Sequence, residues 1–383
     1  MIACSRYSTD NRIRREAETL ASLDEFDVSI LVTKEGELPK KYLLDGVNVA
    51  ELNMRRFSSK SKTYNILKYI AFLMKSFVAC NKLLVNRKID VIHVHNMPNF
   101  LVFAAIIPRL IGKKLMLDIH DTFPETYAAK FADGSNIVFK LLCWEERIAC
   151  YIANKVICVN HPQKDALINR GIPPNKISVS MNVPDHRVFN LHLDNKNAAE
   201  ANNKFRLVYH GTLAKRLGVD LALQAVSELA KKIPGLEFQI YGGGEDFEEL
   251  IQLSKILGVE ETVVFHKPVQ IKALPPILRE MHLGVIANKK SIATELMLPV
   301  KMLEYIALGI PVVAPRLKTI QYYFEEDMVS YFEPEDVDSL INTILELYQD
   351  GAKRRAQAER AMEFLNKYGW EKQQMDFINL YKS

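Results

Sequence analysis

The feature that most limits what this chain can become is an alternation that runs from end to end. Short runs rich in β-branched residues recur, each followed by a stretch with helical spacing of its apolar positions. In the first half they are DVSILV (27–32), NVAEL (48–52), DVIHVH (90–95), KLMLDIH (114–120), KVICVN (155–160) and ISVSMNV (177–183). In the second half they are FRLVYHG (205–211), EFQIYG (237–242), TVVFHKPV (262–269), LGVIAN (283–288) and PVVAPR (311–316). Strands without a polar face are buried on both sides, and the helices between them are the crossovers a parallel sheet requires. A length of 383 residues exceeds what one hydrophobic core usually serves. The expected class is therefore α/β, with two Rossmann-like doubly wound parallel-sheet domains. The first spans 1–189, a polar Asn- and Ala-rich linker occupies 190–204, and the second spans 205–367. Helical spacing resumes beyond the last strand, ending in a helix over 368–383 that is expected to pack back on the first domain.

Composition narrows the partners. Lys and Arg number 50 against 46 Asp and Glu, a net charge of +4, too small for a protein built to cover nucleic acid. The five cysteines are scattered without CxxC or Cys/His spacing, which suits a reducing compartment. The start, MIACSRYSTDN, carries no basic region followed by an apolar stretch, so no signal peptide is read. No run approaches the roughly 18–20 apolar residues of a membrane span. The expected location is cytoplasmic, free or peripheral on the inner face of the membrane. The first helix, DNRIRREAETLASL, has Thr9 or Asp10 as its cap, and because only MIACS precedes it, strand one reads as short or clipped.

Ligands of open α/β sheets sit at the carboxyl ends of the strands. Four such loops stand out. In YHGTLAKRLG, Gly211 lets the backbone turn closely and Lys215 and Arg216 precede a helix, an arrangement suited to phosphate or to a merely decorated loop. The run IYGGGED, with Gly242, lacks GxGxxG spacing and reads as a tight turn. In LDIHDTFPE, His120 ends a strand, where it serves either to bind a sugar hydroxyl or to hold the loop. His93 and His95 share a pleat face and, without a third ligand in view, read as core, so no metal site is assigned. A lone DxD at Asp336 and Asp338 reads as a helix cap.

The fourth loop, LPVKMLEYIALGIPVVA (298–314), sets Lys301 and Glu304 in an apolar segment. Pro299 fits the first helical turn, Lys301–Leu308 a short helix, Gly309 its stop and IPVVA a buried strand. Leu298 offers no cap, so the amides of Val300 and Lys301 need a partner that a ligand phosphate would supply. Glu304 could accept from a vicinal diol such as ribose; the alternative is an internal Lys301–Glu304 pair on a surface helix.

Taken together, GTLAKRLG, FQIYGGGE, VVFHKPV and LPVKMLEYIALGIPVVA resemble the retaining, nucleotide-sugar-dependent glycosyltransferases of family 4, and DNRIRREAETLAS, DVIHVHNMP and LDIHDTFPE resemble the acceptor-side pieces. The resemblance covers essentially the whole chain and implies the GT-B fold, two such domains facing across a cleft. It implies a donor diphosphate held by Lys215, Arg216 and the amides at Val300 and Lys301, with Gly211, Thr212 and Gly242 lining it. Glu304 falls where the family binds ribose, Val269 where it contacts the base, and His120 near the transferred sugar. Leu296 stands eight positions before Glu304, where the family has a second glutamate, and Glu295 lies one position off. No cofactor or metal is implied; helix amides and cations carry the leaving diphosphate. The implied partners are a nucleotide-diphosphate sugar and a glycan or lipid-linked acceptor of cell-envelope or exopolysaccharide synthesis. The alternatives are a nucleotide-sugar epimerase of the same architecture and a degenerate, non-catalytic GT-B module that serves as a partner in a complex. Residues 54–88 carry nine Lys or Arg, no Asp or Glu, and interleaved apolar residues, a pattern that fits an anionic membrane surface or the solvated face of an ordinary helix.

Overall fold

Two separate parallel sheets organise the chain. The computed structural model describes residues 1–55, 62–86, 89–130, 136–190 and 204–382. They divide into one unit of Met1–Asn182 with Gln373–Ser383 and another of Val183–Lys372. The expected linker, 190–204, lies almost wholly outside the described residues, as do 56–61 and 87–88 of the basic segment.

The first unit has eight strands, β1 (Ile2–Ala3), β2 (Ser29–Lys34), β3 (Lys41–Leu44), β4 (Val47–Arg55), β5 (Val91–His95), β6 (Lys114–Ile119), β7 (Lys155–Cys158) and β8 (Ile177–Val179). Their order across the sheet is β3-β4-β2-β1-β5-β6-β7-β8. All ladders are parallel except β3 with β4, a hairpin that the alternation did not predict. Its signal was present: Asp45 and Gly46 form the turn with φ of 51° and 78°, the left-handed pair that an Asp-Gly hairpin uses. Strand β1 is only two residues long, yet it sits at the sheet centre, bridging β2 and β5.

Direction of travel decides where the helices lie. From β1 to β2 the chain moves one way and carries α1 (Asn11–Ala21) on one face. From β4 onward it moves the other way, so right-handed crossovers place α2 (Lys62–Asn86), α3 (Ile106–Leu110), α4 (Phe123–Lys130), α5 (Asn136–Ile152) and α6 (His161–Asn169) on the opposite face. Asp10, not Thr9, caps α1, its side chain accepting from the Ile13 amide, and Ile13, Ala17 and Leu20 are buried as the spacing predicts.

The second unit has six parallel strands, β9 (Phe205–Thr212), β10 (Leu236–Gly243), β11 (Val263–His266), β12 (Leu283–Val285), β13 (Val312–Pro315) and β14 (Ser330–Phe332), ordered β11-β10-β9-β12-β13-β14. Its helices are α7 (Val219–Leu229), α8 (Phe247–Ile256), α9 (Leu274–Leu278), α10 (Val300–Ala307), α11 (Lys318–Tyr323), α12 (Val337–Gln349) and α13 (Gly351–Tyr368). Residues 183–189, expected with the first domain, group with the second instead: Phe189 is buried there and the Asn190 carbonyl accepts from Arg279. The last helix, α14 (Trp370–Lys382), divides at Lys372, and its latter part packs on the first unit. Tyr381 Oη lies 2.6 Å from His93 Nδ1, and Lys382 pairs with Glu25 at 2.6 Å.

The junction of β9 and α7 tolerates only glycine. Gly218 has φ of 68°, and a Cβ there would sit 1.7 Å from the Ala287 carbonyl oxygen. Gly218→Ala should therefore destabilise the second unit by roughly 2–4 kcal/mol, from left-handed strain plus overpacking. Urea unfolding followed by far-UV circular dichroism would measure it, with Gly258→Ala, whose Cβ position is open, as the matched control for φ alone.

Candidate functional site

At the carboxyl end of β9 the chain turns at Gly211, whose φ is 111°. A Cβ on Gly211 would lie 3.4 Å from the ammonium of Lys301, an ordinary contact, so it is the backbone angle that calls for glycine here. Lys301 stands in the first turn of α10, which begins after Pro299 with no side-chain cap. Its Nζ lies 3.7 Å from the centre of the Tyr209 ring, is buried, and has no hydrogen-bond partner. Burial pushes its pKa down to about 7; Glu304 partly offsets that, and the neighbouring Arg216 adds to it. An amine stripped of water and left without an acceptor favours the approach of an anion.

Glu304 does not pair with Lys301. Its Oε2 lies 2.6 Å from His210 Nε2, and both side chains are buried. Tyr305 completes the junction, its hydroxyl lying 3.0 Å from the His210 amide and 2.9 Å from Nδ1. The consistent assignment has the His210 amide donating to Tyr305 Oη, the phenol donating to Nδ1, and Nε2–H donating to the Glu304 carboxylate. These hydrogen bonds among Glu304, His210 and Tyr305 tie α10 to β9. His210 was read only as the end of a strand; its place, one residue before a loop glycine, was the available signal.

The other expected donor residues divide. Lys215 is exposed and Arg216 half-buried in a 3-10 turn, Lys215–Leu217, whose Arg216 carbonyl accepts from the Lys289 amide. Thr212 is exposed, and its carbonyl accepts from Tyr209 Oη at 2.6 Å. Gly242 serves packing: a Cβ there would lie 2.0 Å from the Gly211 carbonyl, and one on Gly244 would lie 2.0 Å from that of Leu213. The glycine run lets the end of β10 lie close against the Gly211 loop. Val269 is exposed on the segment after β11. Glu295 is engaged elsewhere, its Oε2 accepting from the Lys318 amide at 2.6 Å to cap α11, with Lys290 3.7 Å from Oε1. Val300 and Lys301 supply the uncapped amides expected of them, although Pro299 proves to be the cap residue and not part of the first turn. Asp336 caps α12 by accepting from Ser339.

In the first unit, His120 borders a cavity of about 250 Å³ lined also by Ser5, Asp10, Tyr69, Asn96 and Asp121. Behind it lies a cluster that the sequence did not assemble. Arg12 holds Asp118 in a fork, Nε to Oδ2 at 3.0 Å and Nη2 to Oδ1 at 2.9 Å, and reaches Glu16 at 3.1 Å. His93 and His95 adjoin, both buried. The third and fourth metal-ligand types missing from the sequence reading are therefore present as Glu16 and Asp118. The buried guanidinium of Arg12 already pairs with both carboxylates and stands where a cation would be drawn. Arg12 and His120 outweigh burial and hold Asp118 well below the usual carboxylate range. Burial pushes Glu16 up to about 7, against the pull of Arg12, and pushes His95 down to about 4.

Residues 204–350 match the family model described as Glycosyl transferases group 1, and residues 10–185 match that of Glycosyltransferase Family 4. A curated relative from Arabidopsis thaliana, a component of phosphatidylinositol N-acetylglucosaminyltransferase, is 24% identical over 260 residues, 67% of this chain and 54% of that one. The chain thus spans about half the length of the curated relatives it matches. Sucrose-phosphate synthase of Thermosynechococcus elongatus shares the fold with a TM-score of 0.78 at 16% identity, covering 100% of this chain and 98% of that one. Anabaena HepE in complex with UDP does so with a TM-score of 0.71 at 14% identity, covering 100% and 99%.

Lys301 makes the site a stability cost. Its folded pKa of about 7 lies below the roughly 10.4 of an unfolded lysine. Between those values the unfolded chain binds more protons, so this group makes stability rise with pH. Lys301→Met should raise the unfolding midpoint at pH 7 and shrink its gain over wild type by pH 9.5, as read by paired urea titrations.

Proposed function

The chain belongs to the group 1 glycosyltransferases with the GT-B fold, and from that premise we propose that it moves a sugar, with retention, from a nucleotide-diphosphate donor to a glycan or lipid-linked acceptor, in cell-envelope or exopolysaccharide synthesis. The observation that carries the proposal is the buried ammonium of Lys301, unpartnered at the uncapped start of α10 and beside Gly211. A diphosphate there meets Lys301, the first amides of α10, and the cations Lys215 and Arg216, which together stabilise the charge that develops as the bond to the sugar breaks. That arrangement needs no metal. Glu304, oriented by His210, accepts from the ribose hydroxyls. His120 contacts the transferred sugar from its cavity. The UDP in Anabaena HepE supports a nucleoside diphosphate, and the phosphatidylinositol in the name of the Arabidopsis relative supports a lipid-linked acceptor.

Lipid also suits one face of the first unit. No described helix is long and apolar enough to cross a membrane. Yet α2, α3 and α5 share a face, and of the 23 exposed large apolar residues described, 15 lie on these helices and the turns flanking α3. Ile66, Leu67 and Met74 of α2 and Trp144 of α5 are each more than half exposed, and the only acids in the three helices are the buried Glu146 and half-buried Glu145. We read this face as resting on an anionic bilayer.

Calorimetric titration with a panel of nucleoside diphosphates should find one bound with uptake of a proton at pH 8, because the ligand raises the Lys301 pKa from about 7, and little uptake at pH 6. Glu304→Ala should weaken that binding by about 1–3 kcal/mol; an unchanged dissociation constant in a folded variant removes the ribose assignment. Incubation of the donor alone separates transfer from epimerisation. Charge reversal at Lys68, Lys75 and Lys82 should reduce co-sedimentation with phosphatidylserine vesicles, and undiminished sedimentation counts against the lipid-facing reading.

A further inference from the structure

We propose that Asp118 is a positioning residue for His120: its carboxylate, forked by Arg12, grips the imidazole by Nε2 and leaves Nδ1 as the nitrogen offered to the cavity. The inference rests on the reading that His120 meets the transferred sugar.

The geometry is that of a histidine held from behind. His120 Nε2 lies 3.1 Å from Asp118 Oδ2, two residues back along the same strand end. The backbone of His120 is pinned too, its amide donating to Asn96 Oδ1 at 2.8 Å while the Asn96 side-chain amide donates to the Asp121 carbonyl at 2.9 Å. Asp118 is wholly buried, whereas the His120 side chain is 21% exposed, the accessible member of an otherwise enclosed group. Asp118 cannot turn away, because Arg12 holds both of its oxygens and itself donates to the Ser180 carbonyl at 2.9 Å. A rigid acceptor at Nε2 fixes the proton there, so Nδ1 is the atom that gains or loses a proton and that accepts from, or donates to, a hydroxyl in the cavity.

The groups facing the imidazole set its charge. From α1 and its cap come Asp10, Arg12 and Glu16; from β5, His95, whose Nδ1 lies 3.1 Å from the same Nε2, with His93 beyond it; from the cavity lining, Tyr69 and Asp121; from α14, Tyr381 behind His93. Burial and Arg12 oppose a positive ring, but Asp118 prevails and holds His120 above the ordinary histidine value. Asp118→Asn removes the one group that prevails, so protonation of His120 then requires lower pH.

Nitrogen-15 histidine spectra of the full chain, with His120 assigned by its loss in His120→Gln, test this without any substrate. The expected result is an Nε2–H tautomer that titrates above free imidazole. Asp118→Asn should move that titration down by a unit or more, shift the corresponding inflection in the pH profile of kcat/KM with it, and lower kcat by up to roughly a hundredfold with a smaller change in donor KM. An Nδ1–H tautomer in the wild type, or an unshifted titration in folded Asp118→Asn, overturns the proposal. Should that variant not fold, the wild-type tautomer decides alone. Absence of turnover on every donor and acceptor, with the spectra as expected, would fault the transferase reading and leave the positioning intact.

Discussion

A buried charge must be matched or give up its proton, and both units are arranged around that requirement. In the first, buried Arg12 stands against the buried carboxylates of Asp118 and Glu16. Arg12 comes from α1 and Asp118 from β6, so their ion pair fastens the helix to the sheet, in which β1, two residues long, offers little purchase. In the second, Glu304 accepts a hydrogen bond from the imidazole of His210, and Tyr305 ties the pair to the backbone of β9. Lys301 is the exception, held over an aromatic ring that attracts cations without satisfying a single N–H. The fold carries this mismatch, and a ligand of opposite charge relieves it.

Much of the architecture was legible in the sequence because its signals are local. Unbroken apolar runs mark strands buried on both faces, and each of the eleven such runs holds a strand of one or other sheet. What escaped were elements whose signals are short or cooperative. β3 is half exposed and mixed in composition, so only its Asp-Gly turn betrayed it. β14 spans three residues and gains its strand character from pairing with β13.

The site was legible in part for the same reason. Lys301 and Glu304 drew notice as charges in an apolar frame, and their separate partners could be learned only once β9 was laid beside α10. No spacing rule joins Arg12 to Asp118 across 106 residues, and none brings Glu16 to His95; these contacts belong to topology. The glycine run was legible only as local geometry. It reads as a tight turn, and what the sequence does not show is the close approach it permits to the backbone at Gly211 and Leu213.

The amine over Tyr209 has one more property. Burial pushes its pKa down to about 7, so Lys301 gives up its proton far more readily than an ordinary lysine does. A deprotonated primary amine is a nucleophile toward aldehydes and activated esters. The chain therefore holds, at its candidate phosphate position, one lysine set apart from its exposed neighbours by burial over an aromatic ring.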